Sequence, residues 1–321
     1  LLVYLIARRL WGRPAAAIAL FTLAGGVSFV FWSRQGIFVT NLTAPLMLAM
    51  LWCGWRWREG AGRRWLWAAA FLAGLGLYAK LLFLWAILAA GGAALLLNLD
   101  RLPRLARWRP ARGELPGAAI AFLLPLAPLF LFNLQTAGTL RTFSQNLLSS
   151  YYGVSNLAFF SNLATRLDQL RIVLEGSHFW YLGETFANPA WPPALAGVLL
   201  LTLFVALWRR RTAGDAWRAA LFPFVMLALI VLQSCVTISA LWFTHYAILT
   251  PLPSLALAGG LAFIARQSGR PRLVWPAALA LAATLLAGDL LADLRYHRIL
   301  ADSGGYAAHS DASYRLAEAL D

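Results

Sequence analysis

Nine long apolar runs make up most of this 321-residue chain, and they set what it can fold into. They cover 14–33, 37–55, 65–79, 81–99, 115–134, 191–208, 219–241, 246–265 and 273–291, and a shorter run, LLVYLIA at 1–7, precedes them. Crossing a hydrocarbon core of about 30 Å takes about 20 apolar helical residues. Only helices and closed barrels satisfy every backbone group in lipid. Barrel strands alternate over about ten residues, whereas these runs are longer and uniformly apolar. The expected fold class is therefore all-α, a polytopic membrane bundle of about ten membrane segments. Composition agrees: 61% of residues are hydrophobic and 12% charged, against about 45–50% and about 25% in soluble domains. A soluble enzyme, a disordered tail and a nucleic-acid module are excluded.

The formal charge of +14 is a sidedness signal. Loops at 8–13, 56–64, 101–112, 209–218 and 266–272 carry 19 of the 27 basic residues. The alternate set holds Arg34, Lys80, Arg141, Arg166, Arg171, Arg295, Arg298 and Arg315. Arginine-rich loops face the cytoplasm, so the expected site is the cell (inner or plasma) membrane, with the long loop 135–190 and the tail from 292 on the outer, periplasmic side. Within that loop, Leu163, Leu167, Leu170 and Leu174 recur at helical spacing, with Arg166, Gln169, Arg171 and Glu175 on other faces. That pattern predicts an amphipathic helix at the membrane surface, either capping the bundle or covering a lipid-linked substrate. The run at 1–7 is expected to end a helix that begins upstream, and SDASYRLAEALD is expected to open a helix after Ser310.

Several residues stand out against this background. Lys80 is the sole lysine and interrupts the apolar stretch 65–99. At the outer turn between two helices its ammonium either binds a phosphate or snorkels to set helix depth. Gly74-Leu75-Gly76-Leu77-Tyr78-Ala79 fits a dinucleotide-binding pattern but lacks the preceding strand that motif needs. Its glycines instead suit close helix packing. Arg34 sits in the outer turn Ser33-Arg34-Gln35-Gly36, and Asn41 follows inside the next helix, as an interhelical hydrogen bond or a substrate contact. Trp242-Phe243-Thr244-His245-Tyr246 forms a third outer turn, where aromatics act as interface anchors and His245 can titrate. Cys53 and Cys235 lie in apolar runs and read as packing residues. Of the thirteen acids none falls near a helix midpoint, and neither a Walker loop nor a Cys/His metal cluster is present.

Four stretches in order carry a resemblance: LLVYLIARRLWGRPAAAIA, FWSRQGIFVTNLTAPLMLAMLW, WLWAAAFLAGLGLYAKLLFLWAIL and HYAILTPLPSLALAGG. Together they resemble the GT-C membrane glycosyltransferases of the protein mannosyltransferase / aminoarabinose transferase superfamily, and most nearly its glycosyltransferase family 39-like branch. The resemblance implies a GT-C-type membrane module at 1–134, an outer loop at 135–190, C-terminal membrane helices at 191–291 and the start of an outer tail or soluble domain at 292–321. It implies sugar transfer from a polyprenyl-phosphate-linked donor to a glycan, lipid or protein acceptor at the outer face. The implied partners are the bilayer and the lipid-linked donor, without nucleic acid, without a metal and without a certain cofactor. Lys80, Tyr246 and Arg34 match donor-phosphate positions of the family, and Asn41, His245 and Arg141 are expected substrate contacts. His245 stands where the family usually has arginine, and Asn41 where an acid often follows. The catalytic acid is expected upstream of residue 1; Asp168, Glu175 and Glu184 are poor substitutes for it. The rival readings are a transporter or flippase of lipid-linked saccharides, an O-antigen ligase or polymerase using Arg141, Arg166 and Arg171, and an inactive scaffold.

Overall fold

The computed structural model describes residues 1–34, 40–101, 110–148, 153–209, 214–237 and 241–304. Expectations for Gln35, Gly36, Arg104, Arg107, Arg109, Tyr151, Tyr152, Arg210, Arg211, Arg315 and the helix after Ser310 lie outside the described residues.

The described residues contain helices and no strands. The N-terminal half holds α1 (Leu2–Trp11), α2 (Arg13–Ala24), α3 (Val27–Arg34), α4 (Thr40–Arg58), α5 (Arg63–Ala79) and α6 (Phe83–Leu96). After these come α7 (Leu115–Leu123), α8 (Ala127–Thr136), α9 (Gly138–Gln145) and α10 (Phe159–Glu175). The chain closes with α11 (Trp191–Trp208), α12 (Ala216–Gln233), α13 (Pro251–Gln267) and α14 (Pro271–Ser303). Each apolar run of the sequence therefore overlaps one helix or more among the described residues, although the run 14–33 is divided between α2 and α3 and the run to 241 outlasts α12, which ends at Gln233. Five of the resulting elements are long and apolar enough to cross a membrane: 115–136, 191–208, 216–233, 243–267 and 271–303. A sixth arises if α2 and α3, bent by 60° at Gly25-Gly26, count as one span. The expected ten segments are not reached among the described residues. At 1.5 Å per residue, α5 and α6 are about 25 and 21 Å long, short of the hydrocarbon thickness.

The bundle has an inside and an outside that are equally apolar. Residues 251–265 of α13 are all buried, and the helix packs against α1, α2, α11 and α12. The span 115–136 is as hydrophobic but almost wholly exposed, with Ile120 at 67% and Leu134 at 84%. Such a patch would aggregate in water and is at ease in lipid, which is why this is a multi-pass membrane protein. Because lipid tails are as apolar as leucine, close packing rather than water exclusion holds such helices together. A Cβ on Gly259 would meet the Trp11 ring at 2.6 Å, and one on Gly260 would meet Val198 at 2.5 Å.

Polar contacts gather at two ends, and each end joins loops that the charge count assigns to one side. At the arginine-rich end Glu59 takes a bidentate contact from Arg9 and a hydrogen bond from Trp55 Nε1 at 2.9 Å. Arg266 donates to the Trp11 carbonyl at 2.7 Å, Arg218 donates to the Leu97 carbonyl at 2.7 Å and to Asp100 at 2.6 Å, and Arg101 pairs with Asp215. The Arg9 contact holds the Glu59 carboxyl below its usual range, and Arg218 does the same for Asp100. At the opposite end Ser28 donates to the Val173 carbonyl at 2.7 Å, and the Tyr296 hydroxyl donates to the Gly176 carbonyl at 3.0 Å.

Two expectations need correcting. Helix α14 does not stop near 291 but runs to Ser303, so Asp289 and Asp293 lie inside it, and Asp289 is fully buried. Its carboxyl group is partnered there: Asn188 Nδ2 donates to it at 2.8 Å and Trp191 Nε1 reaches both oxygens at 3.0 and 2.8 Å. Helix α10 forms as expected, but its buried side includes Asn162, Arg166 and Glu175, while Leu167 is exposed. These polar side chains serve the backbone they pack on: the carbonyls of Ser234, Cys235 and Leu241 accept from Arg166, Asn162 and Gln169, as buried carbonyls require.

Candidate functional site

The turn after α5 positions Lys80. Its backbone is extended (φ −160°, ψ 127°), which ends the helix and sends the side chain across to α4. Nζ donates to Thr40 Oγ1 at 2.9 Å. The ammonium is half-buried, and burial lowers its pKa. The glycines below it let α5 approach its neighbours: a Cβ on Gly76 would meet the Phe83 ring at 2.3 Å, and one on Gly74 would meet the Phe122 carbonyl oxygen at 2.0 Å.

Residues 243–249, a short 3-10 segment ahead of α13, pack on α4 and bring His245 and Tyr246 to the same end. The Trp242 N–H reaches His245 Nδ1 at 3.2 Å. Both Lys80 and Arg166 lie within Coulombic reach of the His245 ring. Tyr246 is fully buried and its hydroxyl shares a hydrogen bond with Ser234 Oγ at 3.1 Å. Arg166, 4% exposed, donates through Nε to the Ser234 carbonyl at 3.1 Å and through a terminal nitrogen to Gln169 Oε1 at 2.9 Å. Gln169 in turn donates to the Leu241 carbonyl, and Asn162 to the Cys235 carbonyl at 3.0 Å. Lys80 and Arg166 thus come from opposite halves of the chain and both act electrostatically at His245. An anion is the ligand such a pair favours.

The other expected residues stand elsewhere. Arg34 donates to His297 Nε2 at 2.9 Å. A guanidinium only donates, so Nε2 accepts and the His297 proton sits on Nδ1, which points to the Asp293 carbonyl at 2.8 Å and to the Asp293 carboxylate at 3.5 Å. Asn41 donates to the Trp32 carbonyl, tying α4 to α3 as the interhelical reading expects. Arg141 lies exposed on α9. Trp32 packs on His178 with ring centroids 4.7 Å apart, and His178 on Phe243 at 5.6 Å, so aromatic contacts run from α3 to the turn that holds His245.

Sequence reasoning placed Lys80, His245 and Tyr246 together through the resemblance. It missed Thr40, and it gave Arg166 a binding role only in the ligase-type alternative. It also missed Asp289, Asp293 and His297, which a spacing of four residues sets on one face of α14.

Residues 1–138 match the family model described as dolichyl-phosphate-mannose-protein mannosyltransferase. No curated protein and no solved structure matches the chain. The matched stretch is under half of the chain and carries Arg34, Asn41 and Lys80; over it the chain is similar to that family of membrane glycosyltransferases.

Proposed function

We propose that this protein transfers a sugar from a polyprenyl-phosphate-linked donor to an acceptor at the outer face of the membrane, with inversion at the anomeric carbon. The matched family implies a glycosyltransferase with a polyprenyl-phosphate sugar donor. What supports the residue assignment is that Lys80, anchored to Thr40, and the buried Arg166 both act electrostatically at His245, at the arginine-poor end of the bundle.

In the reaction an acceptor oxygen forms its bond to the anomeric carbon while the bond from that carbon to the phosphate oxygen breaks. The electron pair leaves on the phosphate, and the acceptor proton goes to a base that this reading assigns to no residue of the chain. A leaving phosphate gains charge as the bond breaks, so a fixed cation facing it stabilises the transition state more than the ground state. Lys80 takes that role, with Thr40 aiming its ammonium. Arg166 holds the second side of the anion site, and Tyr246 is a packing partner at its floor. Arg34, paired with His297, is a positioning residue for the turn that precedes α4, and Asn41 locks the same turn. Helix α10 lies over the site as its cover. The ligase-type reading keeps one favouring feature, the buried Arg166 of the long loop.

Lys80→Met tests the proposal, with full-length protein in vesicles and a short-chain polyprenyl-phosphate sugar as donor. A hydrogen bond to a charged group contributes about 1.5–3 kcal/mol, so kcat/KM should fall roughly 10- to 150-fold. Lys80→Arg should restore part of that loss. Unchanged transfer in Lys80→Met overturns the phosphate assignment. A loss in Arg166→Gln alone, with Lys80→Met active, would favour the ligase-type reading.

A further inference from the structure

A cavity of about 520 Å³ lies at the arginine-rich end, between α1, α4, α5, α6, α12 and α13. It takes no part in the site built around Lys80. Tryptophans 11, 52 and 55 and Leu255 line it, and two glycines, Gly54 and Gly91, open into it. The charged residues among its lining are Arg9 and Arg58.

The size and lining narrow what it holds. Close-packed interiors have few voids larger than a water molecule, while ligand pockets run about 300–1,000 Å³. Ordered water needs two to four polar partners each, which an apolar wall does not offer. A helix with a diameter of about 10 Å fills roughly 420 Å³ per turn, so the space takes little more than one turn of a helix. A flexible alkyl chain fits it.

Charge settles the other end of the ligand. Residues 56–64 carry Arg56, Arg58, Arg63 and Arg64 against one acid, Glu59, which Arg9 and Arg56 both engage, and Asp215 also acts on Arg58, so with Arg9 the rim keeps an excess of positive charge. Arg58 lies 5.4 Å over the Trp55 ring and Arg56 5.4 Å over the Trp65 ring. Tryptophan with arginine marks the headgroup level of a membrane. An apolar slot that opens on a cationic rim at that level has the shape of an amphiphile with one alkyl chain inside and an anionic head outside.

We propose that this cavity binds an anionic glycerophospholipid, with one acyl chain between the tryptophans and its phosphate at the Arg9–Arg58 rim. A zwitterionic lipid would set its own ammonium against four arginines and bind less well.

The test uses the delipidated full chain in detergent, titrated with phosphatidylglycerol or phosphatidylcholine of identical acyl chains. Binding is read by native mass spectrometry and by the thermal midpoint. Phosphatidylglycerol should bind one per chain, roughly tenfold tighter than phosphatidylcholine, since each juxtamembrane arginine favours an anionic lipid. A Cβ on Gly54 or Gly91 meets nothing within 4 Å, so Gly54→Leu and Gly91→Leu fill the slot without straining the fold. Both should lose the lipid while their lipid-free midpoints stay at or above wild type. Arg58→Gln should bring the two lipids to equal affinity. Equal binding of the two lipids to wild type, or retention of phosphatidylglycerol by both filled variants, overturns the proposal. A drop in the lipid-free midpoint of one glycine variant passes the decision to the other glycine variant and to Arg58→Gln.

Discussion

Gly74→Ala should loosen the bundle although it adds a single methyl group. The built Cβ stands 2.0 Å from the Phe122 carbonyl oxygen, where carbon–oxygen contacts ordinarily begin at about 3.3 Å. Helices α5 and α7 must therefore part locally by about 1.3 Å. The obstacle is backbone, so no rotamer change relieves it. Overpacking of this kind costs about 1–3 kcal/mol, and parting two packed helices adds lost dispersion on both faces. Alanine returns up to about 1 kcal/mol through its better helix propensity, leaving a net loss of about 1–2 kcal/mol. Gly197→Ala is the matched control, because a Cβ there meets nothing within 4 Å and the position is exposed on α11. That variant should keep the propensity gain alone. Thermal unfolding in detergent, followed by tryptophan fluorescence, should rank Gly197→Ala at or above wild type and Gly74→Ala clearly below it. Transfer activity should fall with Gly74→Ala as well, since Lys80 caps the same helix. A Gly74→Ala protein as stable as wild type would refute the packing argument, as would a Gly197→Ala protein less stable than Gly74→Ala.

Further outcomes follow from buried polar groups. Trp191→Phe removes the N–H that reaches both oxygens of the buried Asp289, and stability should drop by about 1–3 kcal/mol, with a smaller drop on an Asp289→Asn background in a double-mutant cycle. His178 packs between Trp32, Phe179 and Phe243, and burial pushes its pKa from the ordinary 6.5 down to about 3. Below pH 6.5 the unfolded chain takes a proton there that the folded chain refuses, so stability falls as pH falls, by up to about 1.4 kcal/mol per pH unit. His178→Phe should flatten denaturant midpoints measured between pH 6.5 and pH 5, and an unchanged slope would sink that account.

Much of the architecture is legible in the order of residues. The span 115–136 and the helix α13 have nearly the same hydropathy in the sequence, and both are helical as the runs predict. Gly74 and Gly76 were assigned to packing because a helix, not a strand, precedes them, and their neighbours at 2.0 and 2.3 Å bear that out. The division of arginines between alternate loops corresponds to two ends of the bundle with separate polar contacts. What misled was the edge of a run. Hydropathy places the end of the last run at 291, yet α14 carries on to Ser303, with the buried Asp289 partnered by Asn188 and Trp191.

Sequence by itself determined that the chain is helical and that its runs suit lipid, because those follow from local hydropathy and the absence of water in a bilayer, but not where each helix bends or ends. Only the tertiary structure decided which equally apolar helix is central and which faces lipid, that the long-loop Arg166 is buried against the Ser234 carbonyl, and that an apolar cavity lies at the arginine-rich end. Each of these depends on residues far apart in the chain meeting across a packed interface, and single-chain hydropathy carries no information about which surface meets which.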